Sequence, residues 1–194
     1  MIIEENCQDK KDEELVALVL SNWDFFLCLM KRYEAKLFGY ARRITNLRDE
    51  EIEDLLQDVF IKVYRNLNDF DKELKFSSWI YRITHNEVIN NYRKSQARPQ
   101  AAWEDNEEIL NNIASEFSIE KEIDHSFLKD NISSIMAEMD GKYKEVLILK
   151  FLEEKDYKEI SDILKKPMGT IATLVNRAKK QFAKKLNESR IKLK

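Results

Sequence analysis

A chain of 194 residues, 43% hydrophobic and 36% charged, can build one large domain or two small ones around a real core. With only 3 Gly and 2 Pro, it lacks the turn residues of all-β and α/β folds, which leaves an all-helical architecture. A net charge of −3 would speak against nucleic acid if it were evenly spread. It is not: residues 1–99 carry 16 basic and 18 acidic side chains, residues 100–140 carry 2 and 11, and residues 141–194 carry 15 and 7. A basic C-terminal unit follows an acidic middle segment.

No run of about 18 apolar residues occurs, so no transmembrane helix is expected. The start, MIIEENCQDKKDEE, lacks the basic-then-apolar order of a signal peptide. Residues 1–11 are polar and expected to fray. Cys7 and Cys28 have no CxxC spacing and are expected to be two reduced thiols of a cytoplasmic protein.

From Asp12 a helix can begin, with Leu15, Leu18 and Val19 on one side. A longer one follows from Trp23 to Thr45, where Phe26, Met30, Tyr33, Leu37, Tyr40 and Ile44 recur at steps of three and four. After Asn46 and Leu47, the acids Asp49, Glu50, Glu51, Glu53 and Asp54 crowd a helix start, where negative charge meets the positive end of the dipole. The helix over 49–67 should bury Ile52, Leu56, Val59, Val63 and Leu67 and turn Asp54, Gln57, Asp58, Ile61 and Arg65 away. Beyond the turn NDFDKELK, a helix over 77–94 should bury Ile80 and Ile83, with Phe76 leading in. Arg82, His85, Asn86, Asn90 and Arg93 fall on or near another face. Asparagines are poor helix formers, so their accumulation asks for a reason. Amides beside aromatics such as Trp79 and beside arginines suit unstacked single-stranded bases, although a core helix padded with aromatics would look much the same.

The stretch SQARPQAAWEDNEEILNN reads as a linker. Helical spacing returns from Ile119 to Met139, and Gly141 is expected to end that helix. YKEVLILKFLEE is apolar on most sides, at Val146, Leu147, Leu149 and Phe151, and should be the centre of a second core. DYKEISDIL places Tyr157, Ile160, Ser161 and Leu164 on one face. Pro167 then opens a helix carrying Ile171, Val175, Ala178, Phe182 and Leu186. A short helix, a tight turn and a longer basic helix make a helix-turn-helix. Lys165, Lys166 and Lys180 would neutralise phosphates, and Thr170, Thr173, Leu174, Arg177 and Gln181 would line the exposed side. The same spacing would also serve two packed helices of a bundle.

No Gly-rich phosphate loop, HExxH motif or Cys/His cluster occurs, and His85 and His125 lie in separate segments. Neither catalysis nor a metal or other cofactor is expected.

The segments EDLLQDVFIKVYRNL, FSSWIYRITHN and YKEVLILKFLEEKDYKEISDILKKPMGTIATLVNRAKKQF, in that order, resemble the extracytoplasmic-function (ECF) group of the sigma-70 family from about residue 20 to 186. The resemblance implies two small helical domains, an N-terminal bundle over 1–95 and a C-terminal helix-turn-helix domain over 118–194, joined by an acidic linker over 96–117. It implies a non-enzymatic, cytoplasmic protein that binds core RNA polymerase and directs initiation at promoter DNA. Asp54, Gln57 and Asp58 match the family's D-x-x-Q-E pattern, with Asp in place of Glu, and would dock on the clamp of the largest polymerase subunits. The helix bearing Trp79, Arg82, His85, Asn86, Asn90 and Arg93 would read and melt the −10 element. The helix-turn-helix would read the −35 element and contact the polymerase flap. Control by a separate anti-sigma factor that masks both domains is implied, with no membrane insertion. One departure stands out: Ala172 and Leu174 occupy positions that are frequently basic in relatives. The competing readings are a stand-alone helix-turn-helix regulator, which would bind duplex DNA without polymerase, and a protein-interaction adaptor, which would need no DNA contact from Arg177.

Overall fold

The computed structural model describes residues 7, 9–71, 73–97, 132 and 134–188, and these contain helices and no strand. The chain divides into two compact units, one comprising Met1–Pro99 with Ser161–Lys165, the other Gln100–Ile160 with Lys166–Lys194.

Among the described residues up to 97, the first unit has four helices: α1 (Asp12–Ser21), α2 (Phe26–Ile44), α3 (Asp49–Asn66) and α4 (Phe76–Ala97). Single 3-10 turns, Trp23–Phe25 and Leu67–Asp69, lead into α2 and out of α3. Two helix starts share one device. The Lys11 amide donates to Glu14 Oε2 at 3.0 Å, and the Arg48 amide donates to Glu51 Oε2 at 3.0 Å. Each Glu thereby satisfies an amide that the helix itself leaves without a partner. Ile52, Leu56, Val59, Val63 and Leu67 are all buried, as their spacing requires. Leu55 and Phe60 widen that stripe. On α2, Phe26, Tyr33, Leu37 and Tyr40 are buried, while Met30 and Ile44 are half-buried at the margin. Along the start of α4 runs an aromatic cluster: Phe70 to Phe76 at 5.7 Å, Phe70 to Trp79 at 5.3 Å, and Tyr33 to Phe76 at 5.5 Å between ring centroids. Glu13 Oε1 on α1 accepts from the Phe76 amide at 3.4 Å, so the first helix caps the last one.

The N-terminal segment departs from expectation in two ways. Cys7 and Cys28 form a disulfide rather than two free thiols. A separation of 21 residues hid the pairing, which arises because α1 packs back on α2 and brings residue 7 beside the first turn of α2. Of the segment 1–11 expected to fray, residues 1–6 and 8 lie outside the described residues, while Cys7 and Lys10 are fastened. Arg32 donates to the carbonyls of Cys7 at 2.6 Å and Lys10 at 2.7 Å, and to Asp12 Oδ1 at 2.9 Å. The other oxygen of Asp12 accepts from the Tyr33 hydroxyl.

The expected linker and most of the expected helix over 119–139 lie outside the described residues; α4 itself continues to Ala97, and residues 134–137 are helical. Beyond α4 the described residues form α5 (Gly141–Leu147), a π-helical turn (Ile148–Leu152), α6 (Tyr157–Leu164), which is divided between the two units after Ile160, and α7 (Met168–Glu188). Gly141 does not end a helix: it is the first residue of α5, and the Asp140 carbonyl accepts from the amides of Tyr143 and Lys144 at 2.8 and 3.0 Å. Val146, Leu147, Ile148 and Leu149 are buried, and α5 packs against α7 through Ile171, Val175 and Ala178. Phe151, expected in this core, is 51% exposed. The π turn explains it. Its wider i→i+5 winding, seen in the bond from the Glu153 amide to the Ile148 carbonyl at 3.0 Å, rotates Phe151 off the stripe set by Leu147. The Lys179 ammonium lies over the exposed ring at 5.2 Å from its centroid.

Candidate functional site

Three exposed surfaces carry the residues singled out above. The first is the outer side of α3. Asp54, Gln57 and Asp58 are exposed, spaced one turn apart or adjacent, and opposite the buried stripe of Ile52, Leu56 and Val59. Asp49 at the helix start lies 3.6 Å from Arg42, which gives that acid a structural partner. Ile61, one turn beyond Gln57 and Asp58, is 48% exposed and extends the acidic surface with an apolar step. Tyr64 follows, its ring packed on Trp23 at 4.3 Å and Phe26 at 5.2 Å. An exposed isoleucine between acids and a tyrosine was visible in the sequence only as the odd residue on a polar face.

The second surface is on α4. Arg82, Asn86, Asn90 and Arg93 follow steps of four, four and three, so the backbone lines them up along one side. Asn86, Asn90 and Arg93 are exposed, and Arg82 is half-buried. Asn90 Nδ2 donates to Glu87 Oε1 at 3.4 Å, and that oxygen also pairs with Lys62 Nζ of α3 at 2.5 Å. One carboxylate therefore orients an amide and ties α4 to α3. His85 sits off the stripe, half-buried, with Nδ1 3.5 Å from the Tyr40 hydroxyl. Trp79 does not join the exposed residues. It is 7% exposed and packs on Phe70 and Phe76, so its ring is part of the core. Its i−3 position relative to Arg82 puts it on the stripe in projection, but at the helix start the ring is packed against Phe70 and Phe76. Tyr92, which the sequence reading left out, is 60% exposed; an aromatic next to Arg93 was the available signal.

The third surface is the helix-turn-helix. The amide of Asp156 donates to Glu159 Oε2 at 2.9 Å and the amide of Glu159 donates to Asp156 Oδ1 at 2.8 Å, a reciprocal cap that starts α6 and keeps Glu159 buried. The buried side of α6 is Ile160, Ile163 and Leu164, while Tyr157 is exposed and Ser161 half-buried. Lys165 closes α6 in the left-handed region at φ 52°, and the Pro167 carbonyl accepts from the Thr170 and Ile171 amides at 2.8 and 3.0 Å to open α7. Lys165, Lys166, Thr170, Thr173, Arg177 and Lys180 are all exposed; Leu174 and Gln181 are half-buried. The Thr173 hydroxyl donates to the Gly169 carbonyl at 2.9 Å. A Cβ added at Gly169 would meet nothing within 4 Å, so packing within the chain does not require glycine there. Lys144 on α5 is half-buried, and desolvation holds its ammonium below the ordinary lysine range. Among the described residues no cluster of His, Cys, Asp and Glu could hold a metal ion, and no helix is long and apolar enough to cross a membrane.

Comparison with known proteins matches the sequence to one family. Residues 29–98 match Sigma-70 region 2, and residues 129–182 match Sigma-70 region 4. The ECF RNA polymerase sigma factor SigW of Bacillus subtilis is 28% identical over 170 residues, covering 85% of this chain and 90% of the relative. The ECF RNA polymerase sigma-E factor of Haemophilus influenzae is 29% identical over 171 residues, covering 83% and 87%. Among solved structures, CnrH in complex with the cytosolic domain of CnrY superposes with a TM-score of 0.67 at 20% identity, over 92% of this chain and 99% of that one. RpoE of Bartonella quintana, in complex with the anti-sigma factor NepR, gives 0.62 at 18% identity, over 85% and 98%. These two establish likeness of fold. With regions 2 and 4 both present in order, the chain belongs to the extracytoplasmic-function group of the sigma-70 family.

Proposed function

We infer that the chain is an RNA polymerase sigma factor of the ECF type, which binds core RNA polymerase, brings it to promoters through −10 and −35 elements, and is held in check by an anti-sigma factor. The observation that carries this is the presence of both region 2 and region 4 in a chain whose acidic α3 face and basic α7 face are each exposed. A stand-alone regulator would have no use for the first.

The residue assignments are part of the proposal. Residues 1–95 form the polymerase-docking and −10 domain, 96–117 the linker, and 118–194 the −35 domain. Asp54, Gln57 and Asp58 would meet the polymerase clamp, since charge complementarity at an exposed, rigid helix fixes register. Arg82, Asn86, Asn90 and Arg93 would hold the opened −10 strand. Exposed amides donate to and accept from base edges, and the guanidinium groups neutralise phosphates or stack. His85 would border this strand, and Trp79 would hold α4 in place from the core. On α7, Thr170, Thr173 and Arg177 would reach base edges while Lys165, Lys166 and Lys180 contact phosphates. Leu174 would offer an apolar contact and Gln181 would flank it. The open space at Gly169 favours close approach of a sugar–phosphate backbone to the start of α7. Such a protein performs no covalent chemistry of its own, and it works where polymerase and DNA are, in the cytoplasm.

The test is transcription in vitro with core polymerase and fragments of the genome of origin. The expected result is initiation at a small set of sites, absent without the chain. Arg177→Ala should weaken initiation at those sites by about 1–3 kcal/mol if it makes a paired base contact. No specific initiation, together with tight duplex binding by the chain alone, would establish the stand-alone regulator instead.

A further inference from the structure

We propose that Cys7 and Cys28 form a reversible thiol–disulfide site, opened by dithiol reductants, that sets how firmly the N-terminal segment and α1 are fastened to α2. The proposal rests on the cytoplasmic setting inferred above, because a disulfide there meets a reducing milieu and is more often a responsive bond than a permanent one. The remaining argument comes from placement. The two Cα atoms are 6.1 Å apart, and the bond closes a loop that contains the whole of α1 and the 3-10 turn before α2. Both sulfur-bearing residues are nearly covered, at 6% and 8% exposure, so the bond is reached by local opening. Cys7 is the half outside any helix, and therefore the half that can lift away.

A second fastening limits what reduction can do. One turn beyond Cys28, Arg32 holds the carbonyls of Cys7 and Lys10 and the carboxylate of Asp12, which also accepts from Tyr33. With the disulfide gone, Arg32 and Tyr33 still grip α1 at Asp12. The bundle is expected to stay folded, and the segment at Cys7 and the first turns of α1 to loosen. Because Glu13 caps α4, that loosening reaches the amide of Phe76.

The chemistry balances with a dithiol as co-reactant. A reductant thiolate attacks Cys7 Sγ, forming a mixed disulfide and expelling the Cys28 thiolate, which takes up a proton. The second thiol of the reductant then displaces Cys7 as a thiol and leaves as the oxidised disulfide. Two electrons and two protons pass to the protein.

The test uses the full chain and no polymerase, so its failure leaves the sigma assignment untouched, and its outcome is read separately from that of the transcription assay. The oxidised chain is titrated with dithiothreitol under native conditions, quenched with a mass-tagged maleimide and weighed. We expect zero or two tags per chain, never a stable single tag, and loss of the tags after oxidation by glutathione disulfide. Resistance until the protein is denatured would overturn the proposal, as would failure of the thiols to rejoin. Hydrogen exchange on the oxidised and reduced chains should show amides of Leu15–Leu18 exchanging at least tenfold faster after reduction, with Val59–Val63 of α3 unchanged. Equal protection of α1 in both states would refute the fastening role. Cys7→Ser should reproduce the reduced pattern in either redox buffer, and since it leaves Cys28 in place, loss of the fold does not confuse the reading.

Discussion

Reversal of one charge on α3, Asp58→Lys, separates a docking face from a merely solvated one. Asp58 is exposed on the outer side of an 18-residue helix, at its tenth position and so well past the first turn where the dipole acts. The introduced ammonium would gain an i, i+4 partner in Asp54 and an i, i+4 repulsion from Lys62, each worth about 0.2–0.5 kcal/mol and opposite in sign. Stability should therefore stay within about 0.5 kcal/mol of the native chain. At a desolvated interface the same change costs about 2–5 kcal/mol, or about 30-fold to several thousand-fold in affinity for core polymerase. Competition binding with a labelled native chain measures the second quantity and urea unfolding the first. Glu34→Lys, an equal charge change at an exposed position of α2, serves as the control. Native affinity for Asp58→Lys would refute the docking assignment. Equal losses in both variants would reduce it to long-range electrostatics.

Trp79→Ala should destabilise the N-terminal unit by about 3–5 kcal/mol, read by chemical denaturation, because it opens a cavity between Phe70 and Phe76. Trp79→Phe should lose much less, and should keep strand opening (followed by permanganate reactivity of −10 thymines) at near-native levels; a selective loss of opening would return the ring to the DNA. Tyr33 supplies a pH dependence. Burial first, then the hydrogen bond to Asp12 and its charge, hold the folded phenol far above its usual range. A raised folded value means stability fully present below the unfolded value of 10.0 and lost above it. Between pH 9 and pH 11 the native chain should lose about 1.4 kcal/mol more than Tyr33→Phe, measured by urea unfolding, and parallel curves would show that the phenol ionises freely.

Much of the N-terminal bundle was legible because its signal is periodic. The stripe Ile52, Leu56, Val59, Val63 and Leu67 names a buried side, and the exposed side then follows for Asp54, Gln57 and Asp58 without further information. What the sequence concealed is contact across distance. Nothing local marks Trp79 as core rather than surface; only the fold of Phe70 onto it does. The Cys7–Cys28 bond is of the same kind, created by the return of α1 along α2. Phe151 is exposed for a different reason: an apolar run does not reveal that the chain winds more widely over Ile148–Leu152 and leaves this ring outside the core. For the candidate site, residue types and spacing identified the exposed residues of α3, α4 and α7, whereas the orienting partners, Glu87 for Asn90 and Lys62 for Glu87, needed three dimensions.

The cap that Glu13 places on Phe76 has a consequence for how the N-terminal unit is made. The donor and acceptor are 63 residues apart, so α1 leaves the ribosome long before the helix start it completes exists. Until then α1, with Leu15, Val16 and Val19, has only the Trp23–Phe25 turn, α2 and the Leu67–Asp69 turn to pack on, and the first turn of α4 forms against a partner already waiting. Closure of so long a loop belongs to the slow part of folding. Synthesis of α4 thus completes the bundle, and α3 is not presented on a stable scaffold before the helix beside it has been made.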